Sequence, residues 1–391
     1  TCSNSLYDDG ISLHDSNNNI LSNNSCSNNG NGILLDSSNN NILSNNSCSN
    51  NGNGILFRYY SNNNIISDNN CSSNWGVGIL LRDYSNNNII SKNICSNNGD
   101  GILLGSSNNK LRGNIMVKNG IVIGNYLNNE IDTSNTVNGK PVYYWKNVSG
   151  GIIPYGAGQV ILVNCTDVKV ENQDLSDGSV GVEIALSTDI IVKNNNCSSN
   201  NKYGIYLWYS NDSIISDNNC ISNNWDGILL DSSNNNTISD NICSNNLIGI
   251  KLDHSSYHSI SNNTCSSNKY GIYLYYSNNN TIYLNNFINK TDNVRSYEST
   301  NIWNSTEQII YTYSGNQFTK YLGNYWSDYT GSDADEDGIG DTPYSIGGDE
   351  DSHPLMTRWE NYFGIEKQLP VVNYIHLLWQ SAYKLFRQLL G

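Results

Sequence analysis

Short hydrophobic runs recur along this chain at a nearly constant spacing. A glycine followed by isoleucine or valine begins most runs. In each of two series successive pairs lie 22 to 24 residues apart, at Gly10, Gly32, Gly54, Gly78 and Gly101, and at Gly181, Gly204, Gly227, Gly249 and Gly271. Two short alternating segments, GIxL and NxI, lie between turns of Asn, Ser and Gly. Alternation predicts strands, and a period of this length predicts stacked supersecondary units.

These units predict an all-β fold, a parallel β-helix in which each repeat forms one coil. The Ile and Leu of GIxL point inward because side chains alternate along a strand. Each coil adds about 4.8 Å along the axis, so roughly thirteen or fourteen coils give a rod of about 65 Å. We predict coils over 1–312, with longer irregular coils of the same rod over 113–180, a C-terminal cap over 313–357, and a short amphipathic helical tail over 358–391.

The abundant Asn residues and the ten cysteines fit this geometry. Asn tolerates the left-handed backbone of tight corners, and stacked Asn amides can hydrogen-bond along the axis. Eight cysteines share the repeat period: Cys26, Cys48, Cys71, Cys95, Cys197, Cys220, Cys243 and Cys265. Cys2 and Cys165 are predicted to occupy the same position. Stacked residues have parallel Cβ vectors, which suit a disulfide poorly, so we predict a column of buried thiols.

Charge and composition exclude several classes of partner. The net charge is −15 and only 14% of residues are charged, so no basic stripe could neutralise a nucleic acid. No apolar run of about 20 residues predicts a membrane-spanning helix. An acidic surface is typical of an extracellular protein or of one that binds cations. The start, TCSNSLYDDGISL, matches the middle of a repeat, which predicts that earlier residues were removed or that the chain is a fragment.

Two longer blocks carry a family resemblance. The segments NGKPVYYWKN…GQVILVNC and GNYWSDYTGSDADEDGIGDTPYSI, together with the coils, resemble archaeal surface proteins of the NosD-like parallel β-helix class. That class is related to carbohydrate-binding and sugar-hydrolase β-helix domains. The resemblance implies a right-handed β-helix and a secreted or cell-surface location. It implies no copper site in this chain, because the five His and two Met residues form no cluster in the sequence.

A calcium site is predicted in the segment DADEDGIGD. Asp333, Asp335, Asp337 and Asp341 match positions 1, 3, 5 and 9 of a calcium loop, with the Ile339 carbonyl at position 7. Position 12 is Tyr344 rather than Glu, so Asp328 or Asp349 would have to complete the ligand set. The alternative is an acidic, solvated turn.

Candidate catalytic and binding residues lie on the outward positions of the coils. Asp231 and Asp253 are one coil apart, near the carboxylate separation of retaining glycosidases, although a solvated acidic face is the commoner explanation. A stripe of Tyr206, Trp208, Tyr273 and Tyr275 is predicted to bind carbohydrate or a protein partner. Leu34, Leu56, Leu80 and Leu103 are predicted to face outward in the first series. Ordinary surface packing explains both sets equally well.

The tail and two sequons complete the candidates. Leu378, Trp379, Leu385 and Phe386 recur at helical spacing. This apolar face could dock on its own rod, on a neighbouring copy or on a membrane surface, of which the membrane is the least expected. Asn147 and Asn304 begin Asn-X-Ser/Thr sequons and are candidate glycosylation sites.

Together these features favour a non-enzymatic extracellular protein, a structural or adhesive β-helix of the cell surface. Unpaired strand edges at the two ends predict head-to-tail assembly into filaments with other copies of the chain. The alternatives are a polysaccharide-active enzyme, whether lyase, hydrolase or epimerase, and a carbohydrate-binding module without turnover.

Overall fold

The computed structural model describes residues 1–5, 7–124, 127–289 and 291–364. It is a parallel β-solenoid of about 13 turns with almost no helix, which confirms the predicted fold class. The only helical element in these ranges is a short 3-10 turn, Trp359–Tyr362. The predicted tail helix, with Leu378, Trp379, Leu385 and Phe386, lies outside the described residues. None of the described segments has the length and apolar character of a membrane-crossing helix.

The first half of the chain forms an N-terminal stack with three sheets. Two of them belong to this stack alone. One contains the Gly-Ile strands Ile11–His14, Asn31–Asp36, Asn53–Arg58, Val77–Leu81, Asp100–Leu104 and Ile121–Ile123. The other contains Ile20–Ser22, Ile42–Ser44, Ile65–Ser67, Ile89–Ser91, Lys110–Arg112 and Glu130–Ile131.

A fifteen-stranded sheet, here called the long sheet, runs through the whole solenoid. Its strands are Cys2–Ser3, Ser25–Ser27, Ser47–Ser49, Asn70–Ser72, Ile94–Ser96, Ile115–Val117, Thr136–Val137, Lys140–Lys146, Gln159–Val163, Val180–Ala185, Tyr203–Trp208, Asp226–Asp231, Ile248–Asp253, Tyr270–Tyr275 and Asp292–Tyr297. The first seven belong to the N-terminal stack; five of them contain a cysteine, and Met116 and Val137 continue that column in the next two. The Gly-Ile strands of the second half continue the same sheet.

The second half forms a C-terminal stack with two further sheets and a cap. One sheet contains Lys169–Glu171, Ile191–Lys193, Ile214–Ser216, Thr237–Ser239, Ser259–Ser261 and Thr281–Tyr283. The other contains Asn219–Ile221, Ile242–Ser244, Thr264–Ser266, Asn286–Ile288 and Tyr325–Trp326. Two hairpins lie at its end, Ile309–Tyr313 with Asn316–Lys320 and Tyr344–Ile346 with Asp349–Asp351.

The glycines and cysteines of the repeat meet inside the coils. Cys26 pairs in register with Cys48, and Cys48 with Cys71; all three are fully buried, and none of the ten cysteines forms a disulfide. A Cβ atom on Gly32 would lie 2.8 Å from the Cβ of Cys48, so only glycine fits at this corner. Cys165 was predicted to lie in this column, but it does not. Its backbone N–H donates to the Ser187 hydroxyl, which places it at the start of a serine ladder.

Buried asparagines link successive coils through their amides, as predicted. The Asn46 Oδ1 atom accepts hydrogen bonds from the backbone N–H and the side-chain amide of Asn24, at 3.0 and 2.9 Å. Its own amide group donates to Leu21 O and to Asn69 Oδ1. Because donors and acceptors are both satisfied, a polar residue can lie at 1% exposure in every coil.

The chain reverses direction where the two stacks meet. Strand Lys140–Lys146 runs antiparallel to Thr136–Val137, whereas the later strands of the long sheet are parallel to Lys140–Lys146 and to one another. In Gln159–Val163 both faces are buried. Val160 and Leu162 belong to the C-terminal core, and Ile161 and Val163 cover the N-terminal core. The two cores therefore lie on opposite faces of one sheet. A half-turn about the solenoid axis reverses the strand direction and also moves the core to the other side of the sheet. Because a rotation does not change handedness, the coils of both stacks have the same hand.

Candidate functional site: the outer face of the long sheet

In the C-terminal stack, the face of the long sheet opposite the core presents aligned columns of side chains. Ile205 and Leu207 point into the core, so Tyr206 and Trp208 point outward. One column follows the register Glu183, Tyr206, Leu229, Lys251, Tyr273 and Arg295, and a second follows Ala185, Trp208, Asp231, Asp253, Tyr275 and Tyr297. We call this surface the outer face.

Two rows of four aromatic residues cross the outer face. The lower row is Tyr203, Tyr206, Trp208 and Tyr209, and the upper row is Tyr270, Tyr273, Tyr275 and Tyr276. They arise from the nearly identical segments YGIYLWY and YGIYLYY. Three register steps separate the rows, which corresponds to about 14 Å. All four residues of the predicted stripe lie in these rows.

The upper row ends in an exposed aromatic cluster. Tyr275 stacks on Tyr297 with centroids 5.4 Å apart, and Tyr276 stacks on His254 at 5.3 Å. Tyr276 has a φ of 47°, as does Tyr209 at the same place in the lower row. A bulky residue is strained in this left-handed region, which Ser232 occupies in the coil that follows Tyr209. The same corner is left-handed in neighbouring coils, at Leu186, His254 and Glu298, so this conformation belongs to the repeat.

Buried carboxyl groups flank the lower row, where the two stacks meet. Glu183 lies beside Tyr206 on the neighbouring strand and is 2% exposed. Its Oε2 atom accepts a hydrogen bond from Ile123 N at 3.2 Å. Burial raises the pKa of Glu183 to about 8 and that of Asp226 to about 7. Asp100 of the N-terminal stack forms an ion pair with Lys202 at 2.6 Å. Neither Glu183 nor Asp226 was singled out from the sequence.

The predicted catalytic pair, Asp231 and Asp253, lies on neighbouring strands in the same column. Asp231 pairs in register with Asp253, so the two side chains are neighbours on the outer face. Asp253 contacts the Lys251 ammonium at 3.2 Å and the His254 ring at 2.8 Å, and Asp231 accepts a hydrogen bond from Ser232. Each carboxylate is thus held by its neighbours between the two aromatic rows.

The leucine column of the N-terminal stack is less exposed than the sequence suggested. Leu34 and Leu56 are 2% and 4% exposed, and only Leu80 and Leu103 are partly exposed. Leu34 and Leu56 are adjacent in register and are flanked by the Asp36–Arg58 ion pair, whose atoms lie 2.9 Å apart. No continuous apolar stripe is therefore available along this column for a partner.

The predicted calcium loop brings three carboxylates together. The side chains of Asp333, Asp335 and Asp337 each place an oxygen atom within 4.8 Å of the others. Asp341 turns away from them and accepts hydrogen bonds from Ser332 and Ala334 N. Ile339 is buried, and its backbone N–H donates to Asp337.

A lysine lies against this acidic cluster. The Lys320 ammonium contacts Asp335 at 3.2 Å and also forms a close ion pair with Asp337. These contacts raise the pKa of Lys320, chiefly through the hydrogen bond with Asp337. The cluster is thus partly neutralised by the protein's own cation.

The two candidate sequons lie at different depths. Asn147 is exposed, and its Oδ1 atom accepts a hydrogen bond from Asn164. Asn304 is half-buried, and its side-chain amide donates to Ser305 O. Asn147 is therefore the more accessible of the two.

Two family models match the chain. The model described as periplasmic copper-binding protein (NosD) matches residues 127–331, just over half of the chain, and the model of the right-handed β-helix region matches residues 2–142. No curated protein matches the sequence. The resemblance to NosD-like β-helix proteins is confirmed, whereas the archaeal origin it implied stays a prediction.

Several solved structures match the chain at low similarity. The periplasmic alginate epimerase AlgG is 13% identical, with a TM-score of 0.31, over 69% of this chain and 76% of that chain. The Azotobacter vinelandii mannuronan C-5 epimerase AlgE6 A-module is 13% identical, with a TM-score of 0.29, over 75% and 84%. A tailspike protein mutant of the E. coli bacteriophage HK620, in complex with a pentasaccharide, is 10% identical, with a TM-score of 0.27, over 78% and 60%.

The copper in the family description can be tested against the side chains. Copper sites use imidazole, thiolate or thioether ligands. Among the described residues, the only converging group of three or more His, Cys, Asp or Glu side chains is the Asp333–Asp335–Asp337 cluster. Carboxylate oxygens favour hard cations, so this cluster does not fit a copper site. The family assignment itself rests on the extent of the sequence match: this chain belongs to the NosD family.

Proposed function

We propose that this protein is an extracellular or cell-surface adhesive β-helix that binds polysaccharide along its outer face. The observation that carries the proposal is the pair of aromatic rows, one of which ends in the exposed cluster of Tyr275, Tyr276, Tyr297 and His254. Aromatic faces pack well on the apolar faces of sugar rings. The solenoid holds the rows rigidly, so little side-chain entropy is lost on binding.

Affinity electrophoresis on gels containing neutral and acidic polysaccharides tests this proposal. We expect retardation of the wild-type protein, and a several-fold loss of affinity for Tyr206→Ala and for Tyr273→Ala. The matched control is Trp75→Ala, which removes an 89% exposed ring from the N-terminal stack. Equal retardation of all four proteins would contradict a role for the rows.

A second candidate is turnover of the polysaccharide at the lower row. Asp226 begins the strand that pairs with the strand of Tyr203, and its pKa of about 7 suits a general acid at neutral pH. Asp231 and Asp253 stay weaker candidates on the same face. Incubation with bound polysaccharides, followed by assays for reducing ends, unsaturated ends and epimerised sugars, tests this candidate. Activity lost in Asp226→Asn, with binding retained, is the expected result; the absence of any product rejects turnover.

A structural calcium ion is our proposal for the cluster of Asp333, Asp335 and Asp337. Hard carboxylate oxygens at this spacing suit Ca²⁺, and Lys320 would have to move aside for it. We expect calcium to raise the melting temperature, and Lys320→Met to bind calcium more tightly than the wild type. No heat of calcium binding in either protein would reject the proposal.

Self-association through the tail over 358–391 is a proposal from the sequence alone. Deleting residues 371–391 should leave a folded solenoid that no longer forms long assemblies. Light scattering of both forms with calcium checks this expectation. A full-length protein that stays monomeric at high concentration would contradict it.

A further inference from the structure

Three cationic side chains lie beside two tyrosines of the upper aromatic row, while Asp292 is in register with Tyr270 and Asp253 with Tyr275. The Arg295 guanidinium lies 5.5 Å from the centre of the Tyr270 ring and 5.6 Å from that of Tyr273. The Lys269 ammonium lies 5.0 Å from the centre of the Tyr270 ring. Lys251 is one rung from Tyr273 on the opposite side from Arg295. Three cations therefore surround two adjacent tyrosines.

Two of these cations have no carboxylate partner among the described residues. Lys251 is paired with Asp253 at 3.2 Å, but Arg295 donates only to the Tyr270 hydroxyl, at 3.0 Å, and Lys269 contacts the ring alone. A guanidinium has five N–H donors, so Arg295 retains donors for a ligand. In a chain with 35 acidic and 20 basic residues, unpaired cations beside an aromatic surface call for an explanation.

The lower row provides an internal comparison. It has the same aromatic pattern, but Tyr206 has Glu183 and Leu229 as its register neighbours, where Tyr273 has Lys251 and Arg295. Its nearest cation, Lys202, is already paired with Asp100 and lies over the Trp225 ring. The central tyrosines of the two rows, Tyr206 and Tyr273, therefore have neighbours of different charge.

We infer that the upper row is a subsite for an acidic sugar, one that carries a carboxylate or a sulfate group. The sugar ring packs on Tyr270 and Tyr273, and its anionic group accepts hydrogen bonds from Arg295, with Lys269 adding a second positive charge. A guanidinium binds such groups through two parallel hydrogen bonds, which fixes the orientation of the ring. This inference rests on the proposed polysaccharide binding and names the ligand class for one row.

Calorimetry with matched pairs of polymers tests the inference. Polygalacturonate is compared with its fully methyl-esterified form, and dextran sulfate with dextran. The first pair tests the carboxylate and the second pair tests the sulfate. We expect the charged polymer of at least one pair to bind more tightly, and Arg295→Gln to lose on the order of tenfold in affinity for it alone. Lys193→Gln, on another sheet of the same stack, is the control and should bind as the wild type does.

The outcomes separate the inference from the function on which it rests. If the charged and neutral polymers bind equally and Arg295→Gln has no effect, while Tyr273→Ala weakens binding to both, the acidic subsite is overturned and polysaccharide binding stands. If Tyr273→Ala changes no affinity at all, the proposed function fails with it. Circular dichroism of each variant verifies that a loss of binding is not a loss of fold.

Discussion

Glu183 makes the contact between the two stacks dependent on pH. It is 2% exposed, and its carboxyl group accepts a hydrogen bond from the backbone of Ile123, on the last Gly-Ile strand of the N-terminal stack. Burial raises its pKa from 4.5 to about 8. The folded protein therefore keeps a proton on Glu183 that the unfolded chain releases.

The sign and size of the effect follow from this difference. The contribution of Glu183 to the free energy of unfolding is fully present below pH 4.5 and is lost as the pH rises through 8. Between pH 5.5 and 7.5 the loss amounts to about 2.5 kcal/mol. In Glu183→Gln the amide oxygen can still accept from Ile123 N, but nothing titrates. The variant should therefore be increasingly stabilised relative to the wild type as the pH rises.

Urea unfolding of both proteins at pH 5.5, 6.5 and 7.5, followed by tryptophan fluorescence, measures this difference. The variant minus wild-type difference cancels the contributions of other titrating groups. Glu307→Gln, at an exposed glutamate, is the control and should follow the wild type at every pH. If the free energy of unfolding changes with pH equally in Glu183→Gln and in the wild type, Glu183 does not titrate differently in the folded and unfolded states.

Three further predictions concern the interior. Asp351→Ala should lower the free energy of unfolding by about 2–4 kcal/mol, because it leaves buried donors such as Trp326 Nε1 without an acceptor; an unchanged thermal midpoint would contradict this. Gly54→Ala should cost about 1–3 kcal/mol in urea unfolding, since its Cβ would lie 2.9 Å from that of Cys71. Gly348→Ala, where nothing lies within 4 Å, should cost far less, and equal costs would refute the packing argument. The nine buried thiols should react with a thiol reagent only after unfolding, and rapid reaction of more than one thiol in the native protein would argue against the column.

The coil could be predicted from the sequence because every repeat contains the residues that define its corner and its strands. The Gly-Ile pair marks the corner over the cysteine column, and the inward alternation follows from it. The reversal of the chain also left a local signal. Asn138 and Gly139, between two short strands, have φ angles of 51° and 80°. Asn-Gly at such a position is typical of a tight hairpin, but the surrounding repeats favoured continuous coils.

The charged residues of the site were harder to predict, for two physical reasons. Glu183 is buried where the N-terminal stack packs on it, and that contact spans 60 residues of sequence. Arg295 lies in a coil where Asn293 replaces the glycine of the repeat, so the periodic signal does not identify its strand. The aromatic stripe was predictable because its residues keep the same offset from the glycine in both rows.

Polysaccharide binding by the outer face is tested most directly by mapping which tyrosines a bound polymer protects. Tyrosine nitration, quantified by mass spectrometry with and without the tightest-binding polymer, reports on each side chain. Polysaccharide binding along the outer face predicts protection of Tyr206, Tyr273 and Tyr276, whereas Tyr155, which is 86% exposed outside the two rows, stays unprotected. Protection confined to tyrosines away from the two rows, or protection of none, would contradict polysaccharide binding by the outer face.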